Sequence, residues 1–316
     1  MAYKSNKEEC KIACVTGASG KVGHQIVKLL LQKEYKVRVL TRRKYLCCTD
    51  VEVFQGTIDD EALLEVFLHN CTRLFHCAAE LSDTSKMWQV NVEGTQKLLR
   101  MASKSGVEYL CHLSSAGVVG KTYTKHVKED TTCNPRNLYE HSKWTAEQIV
   151  QQGLPNCRVV ILRPTNVITD EAPGVLSLPM RSSWSDCLKV FLKGGEGAHI
   201  VHAMDVADAA IYLISHTADG PSCFFVSCDH EQLNTLAGLW SFYRAIERSK
   251  PVEAIKPIIH LPIIVPYLLR KLWRGTSNLG SVRYSSEKLL STGFRYRLGL
   301  EGAVRRIIST KQPIGQ

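Results

Sequence analysis

No Cys-x-x-Cys pair occurs among the twelve cysteines of this 316-residue chain. Cys47 and Cys48 are adjacent, and neighbours rarely bridge. The chain is long, and Met1 to Glu9 lacks the apolar core of an export signal, so a disulfide framework is not expected. The cysteines read as reduced thiols, mostly core filler. His76/Cys77 and Cys111/His112 look metal-like, but sequence neighbours on a strand point to opposite faces, and no metal is expected. No stretch approaches the ~20 apolar residues that a membrane span needs. There is no internal repeat and no low-complexity linker. These absences predict a cytoplasmic protein with one large core and a smaller lobe.

What is present is a repeating strand–helix pattern. Apolar runs predict strands at 12–16, 36–40, 51–54, 73–77, 108–114 and 158–163. Amphipathic stretches predict helices near 21–32, 60–68, 87–104 and 138–151. Such alternation implies an α/β fold, a Rossmann-type doubly wound parallel sheet with a smaller C-terminal substrate lobe. Cys223 to Ser227 reads as a strand that rejoins the sheet. The expected division is 1–166 for the dinucleotide-binding domain, joined again by 200–228. Residues 167–199 and 229–316 then form the substrate lobe.

The first strand runs into Gly17-Ala18-Ser19-Gly20-Lys21-Val22-Gly23 and then a helix. Strand, glycine turn and helix make a dinucleotide site credible. The turn lets backbone approach a pyrophosphate, and the helix start offers free N–H groups. A tight turn without ligand remains the alternative. The second strand ends in Thr41-Arg42-Arg43-Lys44, where an NAD site would carry an acid for the ribose hydroxyls. Arg42 and Arg43 suit a 2′-phosphate instead, which favours NADP over NAD. The alternative is a solvated basic turn.

Tyr139-Glu140-His141-Ser142-Lys143 sets a phenol and an ammonium four residues apart, on one helix face. A nearby cation favours the phenolate, so the pair is expected to have a lowered Tyr139 pKa. His76-Cys77-Ala78-Ala79, Asn91-Val92-Glu93-Gly94-Thr95 and Leu113-Ser114-Ser115-Ala116-Gly117-Val118-Val119-Gly120 accompany it. So do Pro135, Ala146 and Glu147 around the Tyr-Lys pair, Arg163-Pro164, and the segment from His202 to Ala209.

In these ordered motifs the chain resembles the extended branch of the short-chain dehydrogenase/reductase superfamily, with its epimerase/dehydratase and 3β-hydroxysteroid dehydrogenase-like members. The resemblance covers most of the chain. It implies an NAD(P)-dependent enzyme in which Tyr139 exchanges a proton with the substrate oxygen. Lys143 lowers the Tyr139 pKa and holds the nicotinamide ribose. Ser115, rather than Ser114, hydrogen-bonds the same oxygen, and Asn91 braces backbone or a water near Lys143. The glycine motif, Arg42, Arg43, Thr57, Ile58, Ala78, Ala79 and Pro164 are implied around the cofactor, together with Tyr139 and Lys143. Thr57 replaces a customary Asp near the adenine, and Val119 replaces an aromatic that faces substrate in relatives.

Ala116-Gly117 follow Ser115 where sugar dehydratases carry Asp-Glu, and Arg42-Arg43 replace the acid of galactose-type epimerases. Both departures favour a carbonyl/alcohol oxidoreductase acting on a steroid-, isoprenoid- or lipid-like small molecule. A nucleotide-sugar epimerase or ketoreductase is the alternative enzyme, and a non-catalytic NADP sensor the alternative of another class. From Arg244 onward the chain holds fourteen Lys or Arg against four Asp or Glu. Within it an apolar run from Ile258 to Leu269 precedes Arg270-Lys271-Leu272-Trp273-Arg274. Region 258–274 is expected either to cover an apolar substrate pocket or to touch an anionic membrane surface. No recognition motif accompanies the charge, so nucleic acid is not expected. A homodimer is compatible with the pattern.

Overall fold

The computed structural model describes residues 11–42, 48–181, 183–251, 255, 258–274 and 280–311. Its strands are β1 (Ile12–Thr16), β2 (Lys36–Thr41), β3 (Val51–Gln55), β4 (Arg73–His76), β5 (Tyr109–Leu113) and β6 (His126–Val127). They continue as β7 (Arg158–Pro164), β8 (Asn166–Ile168), β9 (Ile200–His202), β10 (Gly220–Val226) and β11 (Arg283–Tyr284). The helices are α1 (Lys21–Gln32), α2 (Glu61–Leu68), α3 (Thr84–Trp88), α4 (Gly94–Lys104), α5 (Leu138–Val150) and α6 (Ser177–Arg181). The later ones are α7 (Trp184–Lys193), α8 (Ala203–Tyr212), α9 (Leu236–Glu247), α10 (Ile264–Arg274), α11 (Glu287–Ser291) and α12 (Gly299–Lys311).

Seven strands form one parallel sheet in the order β10-β7-β5-β4-β1-β2-β3. Both faces are buried, which is why the strands read as continuous apolar runs. Alternate residues feed two separate cores. Val15, Phe75, Val160 and Leu162 meet Ile26 of α1 and Val206 of α8. Cys14, Leu74, Leu110 and Ile161 meet Leu64 of α2 and Leu98 of α4 on the other side. Strand order reverses between β1 and β4, so their C-terminal ends open a crevice at the switch point.

The helix expected over 87–104 is interrupted. A π-helical turn, Gln89–Glu93, separates α3 from α4. The widened turn includes Asn91, whose side chain is tied to neighbouring segments rather than exposed. The strand expected at 223–227 runs from Gly220 to Val226 and pairs with β7. Pro266 lies in the first turn of α10, where a missing N–H does least harm.

His76 joins β1, β4 and α4. The Thr95 hydroxyl donates to the Asn91 carbonyl, so it accepts from His76 Nε2 at 2.9 Å. Thr16 Oγ1 takes the Ala78 N–H and lies 2.8 Å from His76 Nδ1, which therefore accepts. Every polar atom of this hub is used by a neutral imidazole. Burial, aided by the Lys143 ammonium, pushes His76 down to about 3. Burial also drives down His112, whose ring stands 5.1 Å from that of His76.

Both imidazoles titrate near 6.5 once unfolded. Their contribution to stability is full above that pH and is lost as pH falls toward the depressed native values. The urea midpoint should therefore drop steadily between about pH 6.5 and 4. His112→Leu, which removes one such group, should reduce the slope. An unchanged slope in that variant would contradict the assignment.

Candidate active site

The glycine turn after β1 is shaped by close approach. Gly17 has φ +67°, and a Cβ there would lie 2.5 Å from the Ala78 nitrogen beyond β4. A Cβ on Gly23 would lie 2.3 Å from the Gly17 oxygen, so this glycine lets α1 pack against the turn. Gly20 is the N-cap of α1, and no side chain caps the first-turn amides. Those N–H groups and the helix dipole suit a pyrophosphate. Ala18 and Val22 are core residues, whereas Ser19, Gly20 and Lys21 are exposed. Lys21 Nζ donates to the Val167 carbonyl at 3.0 Å and links the turn to β8. A cleft of about 510 Å³ runs along α1 past Ser19, Gly20 and Lys21, away from Ser115, Tyr139 and Lys143.

Arg42 stands exposed at the end of β2, its Nη1 3.5 Å from Glu80 Oε2. Arg43 lies outside the described residues. Glu80 accepts backbone N–H bonds from Leu81, Ser82 and Asp83, which hold its carboxyl below the usual range. Thr57 is exposed. Ile58 is buried, with its Cγ2 only 2.5 Å from where a Gly94 Cβ would be. Ala78 and Ala79 are half-buried at the end of β4, and Pro164 ends β7 opposite Val226.

The candidate proton-transfer residues gather at the end of β5 and the start of α5. Ser115 is extended (φ −154°, ψ 143°) and caps a 3₁₀ turn over Ala116–Val119. Its Oγ accepts the Gly117 N–H at 3.0 Å. The same hydroxyl faces the Tyr139 phenol closely enough to exert a downward pull on its pKa. Tyr139 and Lys143 sit one turn apart on α5, whose start is fixed by Asn137 accepting the Glu140 N–H at 2.9 Å. Lys143 is buried and donates to the Leu113 carbonyl at 2.7 Å. Burial brings its pKa down to about 8, against the upward pull of Cys77 and Glu147.

One expectation needs correction. The Tyr139 pKa is not lowered. Burial raises it above 10, and the opposing hydrogen bond comes from Ser115. Desolvation of the phenolate outweighs any pull from Lys143, whose ammonium is turned to a carbonyl. Asn91 is a positioning residue. Its Oδ1 accepts the Glu80 N–H at 2.7 Å, and its Nδ2 donates to the Glu80 carbonyl at 3.0 Å and to Ser142 Oγ at 2.9 Å. It thus ties the loop after β4 to α5.

Sequence reading missed the role of Ser114. Its hydroxyl donates to Glu147 Oε2 at 2.6 Å. Glu147 in turn holds Arg163, with Nη2 2.5 Å from Oε1, both side chains fully buried. Ser114 and Ser115 therefore serve different ends, one the framework and one the cleft. The alternation of a strand end, which sends successive residues to opposite sides, was the available signal. Ser114→Ala leaves a buried carboxylate one donor short and should lower stability by about 1.5–3 kcal/mol. Ser115→Ala should change it by less than about 0.5 kcal/mol, since its hydroxyl is only partly buried. Chemical denaturation of the two variants checks the contrast, and equal losses would remove it.

The sequence profile of the NAD dependent epimerase/dehydratase family matches residues 13–225. Sterol-4-alpha-carboxylate 3-dehydrogenase, decarboxylating, of Mus musculus is 24% identical over 277 residues, covering 83% of this chain and 74% of that protein. Sterol demethylase protein B of Methylococcus capsulatus is 31% identical over 166 residues, 49% of this chain and 51% of that one. The matched stretch spans about half the length of several such curated relatives. Among solved structures, a short-chain dehydrogenase/reductase superfamily protein from Agrobacterium tumefaciens with bound NAD aligns with TM-score 0.73 at 20% identity, over 95% of this chain and 97% of its own. UDP-glucose 4-epimerase of Thermotoga maritima with UDP-glucose aligns with TM-score 0.69 at 20% identity, over 95% and 100%. These two likenesses show the fold. With the glycine turn, the Ser115–Tyr139–Lys143 arrangement and the profile match in agreement, the chain belongs to the NAD dependent epimerase/dehydratase family.

Proposed function

We propose that this chain is an NADP(H)-dependent oxidoreductase that interconverts a carbonyl and a secondary alcohol on an apolar, steroid- or isoprenoid-like substrate. The observation that carries the reading is Lys143, buried one turn beyond Tyr139 on α5 and bound to the Leu113 carbonyl at the end of β5, two residues before Ser115. Tyr139 gives a proton to the carbonyl oxygen during reduction and takes it back during oxidation. Ser115 donates to the same oxygen as charge develops there. Lys143, held at the Leu113 carbonyl, would hold the nicotinamide ribose. The first-turn amides of α1 and the side chain of Arg42 fit a dinucleotide phosphate. When bound, the nicotinamide supplies or accepts the hydride.

The substrate class is supported by the two sterol-named relatives and by Ala116-Gly117 standing where dehydratase acids would be. The preference for NADP is supported by Arg42 at the end of β2, with no acid in Thr41-Arg42-Arg43-Lys44. A turnover screen of NADPH with steroid ketones against nucleotide ketosugars tests the substrate. Turnover of the sugars alone would overturn it.

Arg42→Ala should weaken NADPH by about ten- to a hundredfold and leave NADH nearly unchanged. Equal weakening would remove the 2′-phosphate role. Tyr139→Phe should cut turnover by about 10²-fold or more with the cofactor still bound. A phenol raised above its ordinary pKa is ready to donate at neutral pH but slow to accept. Carbonyl reduction should therefore stay level across neutral pH, while alcohol oxidation climbs in the alkaline range. The opposite pair of profiles would point to a different acid.

A further inference from the structure

Nine of the large apolar side chains exposed on this protein belong to α7, α10 and the segment leading into α10. Helix α7 buries Asp186 and Val190 against the lobe and turns the rest outward. Trp184, Leu188 and Phe191 recur at four- and three-residue spacing on that outer side, 81%, 40% and 41% exposed. Helix α10 repeats the arrangement. Ile264, Leu268 and Leu272 recur every four residues, 50%, 49% and 81% exposed, and Trp273 beside them is 90% exposed. Its inner side is a different set, with Pro266 buried, Tyr267 half-buried and Arg270 paired with Glu196. The apolar content of α10 is therefore more than its packing uses. A substrate lid would face that surplus inward, and here half of it faces out.

The two helices adjoin. The Leu261 N–H donates to the Phe191 carbonyl at 2.8 Å, so the end of α7 lies against the segment that opens α10. A Cβ on Gly194 would meet His260 at 2.7 Å, and one on Gly195 would meet Ile263 at 2.9 Å. These glycines let the two stretches touch backbone to side chain. Lys189, Lys193 and Lys271 stand exposed on the same helices. The sole acid in α7 and α10 is Asp186, which is buried and paired with Arg181 and Lys189.

We propose that α7 and α10 form a docking surface that seats the C-terminal lobe on an anionic lipid bilayer. An apolar centre bearing two tryptophans, with exposed lysines and no exposed carboxylate on either helix, is complementary to acyl chains beneath anionic headgroups. A second copy of this chain fits less well, because a two-fold contact through this face would bring exposed lysines together. No helix among the described residues is long and apolar enough to cross a membrane, so the contact is with the surface. This goes beyond the oxidoreductase reading and does not depend on it.

Co-sedimentation of the full chain, with NADPH present, measures the contact. Phosphatidylcholine vesicles with one part in five phosphatidylserine should pull the protein down, and pure phosphatidylcholine should do so weakly. Raising the salt should release it. Leu272→Ser with Trp273→Ser should lower partitioning at least about tenfold, and so should Trp184→Ser with Leu188→Ser. Lys271→Ala should lower it by about fivefold. All these side chains are solvent-exposed, so thermal midpoints should hold and a folding defect is visible separately. No binding to phosphatidylserine vesicles overturns the proposal. So does binding that the apolar variants leave unchanged, or a dimer in solution that Leu272→Ser with Trp273→Ser disperses while vesicles bind neither form.

Discussion

The buried pair of Glu147 and Arg163 is the contact on which the catalytic geometry depends. Glu147 is on α5 and Arg163 on β7, and the Ser114 hydroxyl at the end of β5 completes the group. Three elements are thus held at one carboxylate. Taking two charges out of water is costly, and the geometry is of the kind that offsets it. The guanidinium donates through Nε and Nη2 to the carboxylate and through Nη1 to the Glu129 carbonyl. It also lies 5.5 Å from the Phe225 ring and 5.7 Å from the Trp144 ring. With α5 anchored at Glu147, Lys143 lies one turn back toward the helix start and Tyr139 two turns back. Ser115 follows Ser114 directly. The distance between phenol and serine is therefore set by a contact neither makes.

A second constraint works at the other side of the crevice. Gly17 and Ala78 approach so closely that the turns after β1 and β4 behave as one piece. His76 extends that piece to α4, and Asn91 extends it to α5 through Ser142. Ser142 passes the contact on by donating to the Tyr139 carbonyl at 2.9 Å. The glycine turn and Tyr139 thus belong to one hydrogen-bonded framework. A change far from either, at Thr95 or Asn91, would be felt at both.

Much of this was legible in the sequence, for physical reasons. Strands buried on both faces must be apolar throughout, so β1, β2, β5 and β7 stood out within a residue or two. Gly17 and Gly23 were legible because no other residue tolerates those approaches. The Tyr139–Lys143 pair followed from helical spacing, and Ser115 joined it only through the family resemblance. What escaped depends on contacts between distant segments. The register that sets His76 opposite His112 comes from the β4–β5 pairing and has no local signature. The π turn at Gln89–Glu93 answers to tertiary bonds at Asn91 and not to propensity. The direction of the Tyr139 shift is a competition between burial and charge. Spacing reveals the charge, and only the folded surroundings reveal the burial.

The division of labour along the chain explains why chemistry is easier to read than substrate. The family profile ends at residue 225, at the last strand of the sheet. Every group assigned to proton transfer lies before that point, on strand ends and a helix whose positions the sheet dictates. Beyond it the chain from Arg244 onward holds fourteen Lys or Arg against four Asp or Glu, and α10 carries part of the exposed apolar surface. Helices α9 and α12 are held to the sheet through a shared core, which Leu239, Phe242, Val304 and Ile307 join, and through hydrogen bonds. Asp205 on α8, for example, anchors α12 by accepting the Leu298 and Gly299 N–H groups at 2.9 and 3.2 Å. No described side chain of helix α10 joins that core, so its composition can vary without disturbing Tyr139. The exposed apolar face of α10 is therefore the part of the lobe that the sheet leaves unspecified.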